Sequence, residues 1–240
     1  MPSPLIATQL HGETITRDQV LSWEDRRITA AARKLGVHVG EADDVATRRE
    51  ALLQAKLALG PDEIGAALKN DTRRADLVAR AGAGLSRRRR LCVADLHVSA
   101  GSAKRFVDAF EGWSDTSDEE AMLRACPDHF VIRTRADGRQ EVLETTGGSP
   151  LASLFLIDYD DVSSLITPPD PQFPYQIAGV ARASNGVAIG GVRHQFRDVE
   201  DGFHARLTVE FPLPTIGRMV AGHRWHLACE FSNWIEAASR

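Results

Sequence analysis

The feature that most constrains the fold of this 240-residue chain is a change in its apolar period near residue 90. After that point, short segments alternate apolar and polar residues with the period of two that is typical of β-strands. In the segment 203–211 the odd positions are apolar and the even positions are polar, as in a strand with one buried face. The predicted strands are 91–98, 129–135, 140–146, 151–159, 175–183, 187–198 and 203–211.

Helices are predicted after the first of these strands and again after the last one. Two short helices cover about 102–112 and 117–125, and Ser117 is the expected N-terminal cap of the second. Two prolines end the last strand, and a helix of about 24 residues from Thr215 closes the sequence. The sequence therefore predicts an α+β fold in which an antiparallel sheet packs against a long C-terminal helix.

Residues 1–85 have the period of helices instead, so we predict a small helical N-terminal region followed by a second domain over 86–240. The predicted helices run from Thr16 to Leu35, from about 43 to 59, and over 61–69 and 71–82, with the first two ended by Gly36 and Gly60. The last pair is compatible with a DNA-binding helix-turn-helix or with a helical cap packed on the main domain. No basic recognition face stands out, which favours the cap.

Composition excludes several classes of function. A net charge of −4 and a pI near 6.1 argue against a general nucleic-acid binder, and no apolar segment has the roughly 20 residues that span a bilayer. The N-terminus lacks the pattern of a secretory signal, and three widely spaced cysteines do not suggest a disulfide framework. We therefore expect a cytoplasmic protein without a membrane partner, and its composition is compatible with a homodimer. The run Arg87–Arg90 indicates either a phosphate contact or, in an acidic chain, a solvated hinge.

The last predicted helix carries His226 and Glu230, whose side chains lie on one face because they are four residues apart. This spacing can offer two ligands to one metal ion, and it is also an ordinary hydrogen-bonded pair on a solvated helix. Four large apolar residues crowd the same helix, namely Trp225, Leu227, Phe231 and Trp234. The helix is therefore expected to be packed, and a packed histidine and glutamate need partners.

Two other segments carry residues of the same chemical types. Cys126-Pro-Asp-His129-Phe130 begins one predicted strand, and Glu144-Thr-Thr-Gly-Gly148 ends the next. Alone, His129 is as compatible with a strand cap as with a ligand, and Glu144 with a solvated strand residue. Two imidazoles and two carboxylates suit Zn²⁺, and they would also accept Mn²⁺ or Fe²⁺. The sequence leaves open whether Cys126 or Cys229 also contacts the metal.

The order of predicted elements over 90–240 resembles the helix-grip fold of START-type carriers and aromatic polyketide cyclases. Together with the three segments above, the chain resembles the 2,4-diacetylphloroglucinol/phloretin hydrolase family, zinc enzymes built on a helix-grip domain behind a helical N-terminal region. The resemblance implies a Zn²⁺ site whose ligands are His129, Glu144, His226 and Glu230. The short segment between the strands of His129 and Glu144, and the end of the chain at Arg240, depart from the family pattern.

The resemblance also implies an acid/base histidine in a strand, for which His194 is the candidate. His194 would serve only if it points inward, and the sequence is equally compatible with its lying on the outer face of the sheet. Four aromatic residues are candidates to line a substrate pocket, although aromatic residues at such spacings also form ordinary cores. They are Phe130, Tyr159, Tyr175 and Trp225.

These observations predict a zinc-dependent hydrolase that cleaves a carbon–carbon bond in an acylated phenolic or β-diketone-like compound. The alternative is a metal-free START-like carrier or polyketide cyclase that binds a small aromatic or polyketide-like ligand in its cavity. A third alternative is a regulatory protein whose N-terminal helices bind DNA, which the nearly balanced charge of those helices disfavours.

Overall fold

The computed structural model describes residues 4–41, 44–86, 88–213 and 215–240. The strands are β1 (Ile6–Leu10), β2 (Glu13–Ile15), β3 (Arg89–Val98), β4 (His129–Thr134), β5 (Gln140–Glu144), β6 (Ser153–Asp158), β7 (Tyr175–Arg182), β8 (Ala188–Val199) and β9 (Gly202–Pro212). The α-helices are α1 (Arg17–Leu35), α2 (Val45–Ala67), α3 (Lys69–Leu85), α4 (Ala103–Asp115), α5 (Glu119–Arg124) and α6 (Gly217–Ala238). Arg87 and the predicted helix start at residue 43 lie outside the described residues.

All nine described strands form one antiparallel sheet in the order β2-β1-β3-β9-β8-β7-β6-β5-β4. On β3, Cys92, Ala94, Leu96 and Val98 are buried, as a period of two requires of a strand with one face on a core. The main hydrophobic cluster joins this face to α4 and α6, with Phe106 of α4 in ring contact with Phe231 of α6. The predicted α+β fold with an antiparallel sheet and a C-terminal helix is confirmed.

The N-terminal region departs from the prediction because it is not wholly helical. β1 and β2 form a hairpin that extends the sheet beside β3, and its turn places His11 and Gly12 at positive φ. Residues 6, 8 and 10 are buried and residues 7 and 9 are exposed. Because the buried set includes Thr8 and the exposed set includes Ala7, the sequence does not show this alternation. Thr16 caps α1 and Gly36 ends it in the left-handed region, as predicted. Gly60 was expected to end the second helix, but it kinks α2, which continues to Ala67.

Two further local predictions need correction. Ser117 does not cap α5; it takes a positive φ, its hydroxyl accepts the amide of Thr134, and Asp118 is the cap. The arginine run is not a free hinge, because Arg89 and Arg90 are the first residues of β3 and pair with Pro212 and Phe211. None of the described helices is both long and apolar enough to cross a membrane.

The helices α1 and α2 pack on the β4–β5 end of the sheet and form a second hydrophobic cluster there. It contains Ile28 of α1, Leu52 of α2, and Phe130, Val131 and Leu143 of the two strands. This cluster lies directly behind the strand ends that carry His129 and Glu144. The N-terminal helices therefore support the part of the sheet that bears half of the predicted site.

Candidate metal centre

His129 and Glu144 are direct partners on neighbouring strands, the first residue of β4 and the last of β5. Residues paired across antiparallel strands present their side chains on the same face. His129 Nε2 lies 4.0 Å from Glu144 Oε2, and both side chains are buried. The two strand ends therefore bring one imidazole and one carboxylate to a single point.

The helix α6 supplies the other two predicted ligands at the same point. His226 Nε2 lies 3.5 Å from Glu230 Oε2, one helical turn away. The same imidazole nitrogen lies 3.1 Å from His129 Nε2 and 3.6 Å from Glu144 Oε2. Glu230 Oε2 lies 3.0 Å from His129 Nε2. All four side chains predicted as ligands therefore converge.

The spacing of these four atoms matches a metal coordination shell. Donors about 2.0–2.2 Å from a zinc ion, placed at the corners of a tetrahedron, lie about 3.3–3.6 Å from one another. The five separations given above range from 3.0 to 4.0 Å and bracket this value. The described residues thus include a buried cluster that could hold a metal ion.

The hydrogen bonding of His129 leaves an electron pair directed into the cluster. Its Nδ1 lies 3.0 Å from the carbonyl oxygen of Met122, which can only accept, so Nδ1 must carry the hydrogen. In the neutral ring Nε2 then bears no hydrogen, and it faces a carboxylate oxygen and a second imidazole nitrogen. Only a proton or a metal ion can join such a set of acceptors.

Glycine permits the close approach that brings Glu144 to α6. The 3₁₀ turn Thr146–Gly148, which follows Glu144, packs directly on the first turns of α6. A Cβ atom at Gly147 would lie 2.4 Å from the amide nitrogen of His223, and one at Gly222 would lie 2.1 Å from the carbonyl oxygen of Gly147. Both positions therefore exclude any side chain without movement of the backbone.

The charges around the cluster favour a bound cation. Burial opposes ionisation of Glu230, but His226 and His129 outweigh it and lower the pKa of this carboxyl well below its ordinary value. Burial raises the pKa of Glu144. Burial also opposes a charge on His226, but Cys126, Glu144 and Glu230 raise the pKa of its imidazole well above the ordinary value. A positive charge at this point is therefore stabilised by its neighbours.

The cluster lies on the wall of a cavity with a volume of about 1050 Å³. The other lining is mostly apolar and comes from the inner sheet face and from α6; it includes Ile132, Val142, Phe155, Val192, Leu227 and Trp234. A volume of this order holds a ligand of drug size or larger, with most of its surface buried. The arrangement can therefore present an apolar molecule to a metal ion.

His194 points inward and lines this cavity, so the outer-face alternative does not apply. Its ring packs edge-on against Phe231 at 4.8 Å between centroids. Burial lowers the pKa of His194 to about 4, so the imidazole is neutral near pH 7. Its Nδ1 has no hydrogen-bond partner within the described part of the chain.

The four aromatic candidates divide evenly. Tyr159 and Trp225 line the cavity, and the Tyr159 hydroxyl donates to Gln140 Oε1 at 3.0 Å. Phe130 does not line it, because β4 has a bulge between His129 and Val131, and Phe130 packs with Val131 in the second cluster, against α1 and α2. Tyr175 does not line it either; it packs on the main cluster where β7 meets α4.

Sequence reasoning missed His223, which stacks on His226 with ring centroids 4.7 Å apart and lines the cavity. Glu144, His223 and His226 each offer a possible ligand atom within 4.8 Å of one another. The signal was present as a His-x-x-His spacing on the same helix, which also places both rings on one face.

The thiol of Cys126 belongs to the surroundings of the site. Its Sγ lies 3.8 Å from Nδ1 of His226, and Cys126, His129 and His226 form a second group able to hold a metal. Burial raises the pKa of this thiol well above its ordinary value, which disfavours the thiolate that metals bind. Cys229 donates instead to the carbonyl oxygen of Ala125 at 3.7 Å. The oxygen donors lie on the Nε2 side of His226, which favours that side for the metal.

Comparison with known proteins adds no assignment. No protein-family model matches the sequence, and no curated protein matches it. A function is therefore proposed from the geometry and chemistry of the cluster and its cavity.

Proposed function

We propose that the chain is a zinc-dependent hydrolase that cleaves a carbon–carbon bond in an acylated phenolic or β-diketone-like compound. The observation that carries the proposal is the convergence of His129, Glu144, His226 and Glu230 on the wall of a large apolar cavity. The antiparallel sheet packed on α6 is compatible with the helix-grip, START-like fold, and the three motif segments resemble the 2,4-diacetylphloroglucinol/phloretin hydrolase family.

Zinc is the metal that this donor set fits best. Nitrogen and oxygen donors with near-tetrahedral spacing are typical of zinc sites, and the second carboxylate would also suit Mn²⁺ or Fe²⁺. When bound, such an ion supplies Lewis-acid polarisation of a carbonyl oxygen and acidifies water. The four donor side chains are buried, and electrostatic effects of this kind are stronger at buried positions than in water.

A side chain of the protein would accept and return the proton that the reaction transfers. Neutral His194 can accept a proton from the water that attacks the acyl carbon. The carbon–carbon bond then breaks, its electron pair goes to the ring carbon, and the same imidazole returns the proton there. The products are a carboxylic acid and the deacylated phenol, so that one water is consumed in each turnover. A correctly placed acid/base group contributes roughly 10²–10⁴ in rate.

Elemental analysis by mass spectrometry tests the proposal first. Protein purified without added metal and without a histidine tag should contain close to one zinc per chain. The double variant His226→Ala/Glu230→Ala should contain almost none, because two of the four donors are removed. A zinc-replete preparation should then hydrolyse at least one compound in a panel of acyl-phenols, and His194→Ala should slow that reaction without reducing the zinc content.

The cavity also supports a second candidate, a metal-free carrier or polyketide cyclase. Its size and apolar lining suit a hydrophobic aromatic ligand whether or not a metal is bound. This candidate predicts no metal in either preparation, even after zinc is offered and the excess is removed, together with saturable binding of an aromatic ligand. That outcome would reject the hydrolase proposal.

A further inference from the structure

One side chain of the N-terminal helix α1 reaches the surroundings of the metal cluster. Arg27 binds both carboxylate oxygens of Asp128, with Nη2 2.6 Å from Oδ1 and Nε 2.9 Å from Oδ2. This forked pairing fixes the plane of the carboxylate as well as its position. Asp128 is wholly buried, and its Oδ1 also accepts the Thr145 hydroxyl at 2.5 Å.

Asp128 in turn is connected to the segments that carry three of the four predicted ligands. It directly precedes His129 in the chain, and its carbonyl oxygen accepts the amide of Thr145, the residue after Glu144. Its Oδ2 lies 3.8 Å from Nδ1 of His226, on the side of the ring away from the cluster. The guanidinium of Arg27 is therefore separated from the His226 imidazole by a single carboxylate.

We propose that Arg27 is a positioning residue for His226 and acts through Asp128. A carboxylate held in place beside Nδ1 favours one orientation of the ring, in which Nε2 faces the other three predicted ligands. Without Arg27, Asp128 is free to turn, and this constraint on the orientation of His226 is lost. The predicted effect on metal affinity rests on the proposed zinc site, whereas the effect on the imidazole does not.

Other contacts from the N-terminal helices converge on the same segment. Lys56 of α2 donates to the carbonyl oxygen of Cys126 at 3.3 Å. Asn233 of α6 donates to the carbonyl oxygen of Ala125 at 2.8 Å and lies 3.3 Å from Glu24 of α1. The residues just before His129 are therefore held from both sides, and the N-terminal helices form part of the centre rather than a separate cover.

The test compares Arg27→Met with Arg17→Met. Arg17 is a strict control, because it also joins α1 to α6, through the carboxylate of Glu236 and the side-chain oxygen of Asn233, and it contacts neither Asp128 nor a proposed ligand. Its side chain is 20% exposed, against 19% for Arg27, and Glu236 is not one of the proposed ligands. Zinc affinity is measured by competition with a chromophoric chelator. Arg27→Met should weaken zinc binding about 10–100-fold, as loss of a partner behind a ligand does, and Arg17→Met should leave it unchanged.

A second readout does not depend on metal. In metal-free protein labelled with ¹⁵N-histidine, the two imidazole ¹⁵N shifts of His226 report the surroundings of its two nitrogens, of which Nδ1 faces Asp128. Arg27→Met should change them and Arg17→Met should not. Because Arg27→Met leaves Asp128 buried without its partner, Arg27→Lys and Asp128→Asn are measured in parallel as milder changes. Arg27→Lys keeps the charge but not the fork, so its effect should be intermediate.

The two proposals fail in different ways. If the parent protein binds no zinc, the proposed function is rejected, and the ¹⁵N comparison still decides the role of Arg27. If the parent binds zinc but Arg27→Met and Arg17→Met match it in affinity and in the His226 shifts, the positioning role is overturned. Affinity loss equal in both variants would also overturn it, because a general loss of packing then explains the result.

Discussion

The helices α6 and α3 both line the cavity, and they are attached to the protein in opposite ways. Twelve of the 22 residues of α6 are buried, including His226 and Glu230 of the ligand cluster and His223, which stacks on His226. In α3 only Gly82 is buried, and Leu77, Val78 and Leu85 are among the most exposed apolar residues. One wall of the cavity is therefore part of the core, and the other lies on the surface of the fold.

Polar contacts tie down α3 where apolar burial does not. Asp71 binds Lys34 and the amide of Ala152, and Asp76 accepts the amide of Ser184. Segments with few buried apolar contacts open locally at low free energy, whereas core helices open only with the whole fold. The two predicted ligands on α6 therefore lie on the wall that opens only with the whole fold. Access to the cavity is expected on the side of α3.

The largest expected difference between the two walls comes from truncating one apolar side chain on each. Phe231→Ala removes a ring that packs on Phe106, Phe196 and Trp234, so the free energy of unfolding should fall by about 3–5 kcal/mol. Val78→Ala removes an exposed side chain and should change it by less than about 0.5 kcal/mol. Urea unfolding of both variants measures the two changes in the free energy of unfolding. Similar losses would show that α3 is packed as tightly as α6.

A backbone contact gives the next largest effect, about 2–4 kcal/mol. A Cβ atom at Gly222 meets the carbonyl of Gly147 at 2.1 Å, so Gly222→Ala must separate α6 from the turn that carries Glu144. Both stability and zinc content should fall. Gly65→Ala in α2 is the control, because nothing lies within 4 Å of its Cβ position and helical alanine is favourable. If zinc content survives in Gly222→Ala while stability falls, Glu144 is not needed for the site.

Local patterns account for how much of the fold could be predicted. Periodicity and turn residues predicted every strand from β3 to β9 within a few residues, because each pattern lies within one segment. The hairpin of β1 and β2 was not predicted, since Thr8 is buried and Ala7 exposed, which hides the alternation of β1, and β2 has only three residues. Ser117 was wrongly assigned as the cap because its hydroxyl accepts the amide of Thr134 in β4, a contact between residues that are distant in the sequence.

The site residues differ in the same way: some are recognised from local sequence motifs, and others depend on contacts between distant parts of the chain. Motif chemistry identified the four converging side chains, but the direction of Phe130 depends on the bulge of β4 between His129 and Val131, which the sequence does not reveal. Arg27 carries no signal of its own, because its partner Asp128 lies 101 residues away in the chain. The inward direction of His194 likewise required the sheet register, which the sequence does not fix.

The N-terminal helices also contain a buried charged group, and it should make the stability of the protein depend on pH. Lys56 of α2 is buried, its ammonium donates to the carbonyl oxygen of Cys126, and burial lowers its pKa from 10.5 to about 8. Between pH 8 and 10.5 the unfolded chain holds this proton and the folded chain does not, so stability should rise with pH in that window. Below pH 8 the full penalty remains, at most about 3 kcal/mol at 1.36 kcal/mol per pKa unit.

Lys56→Met removes that penalty and keeps an unbranched apolar stem in the same cluster. At pH 7 the variant should therefore be more stable than the parent by about 1–3 kcal/mol, since the lost hydrogen bond to Cys126 offsets part of the gain. Near pH 10.5 the advantage should shrink, because the parent has then lost the charge that burial disfavours. Exposed Lys69 provides the control, and Lys69→Met should follow the parent at every pH. Urea unfolding from pH 7 to 10.5 measures the difference. A variant less stable than the parent at pH 7 would mean that the ammonium contributes more to holding the Cys126 segment than its burial costs.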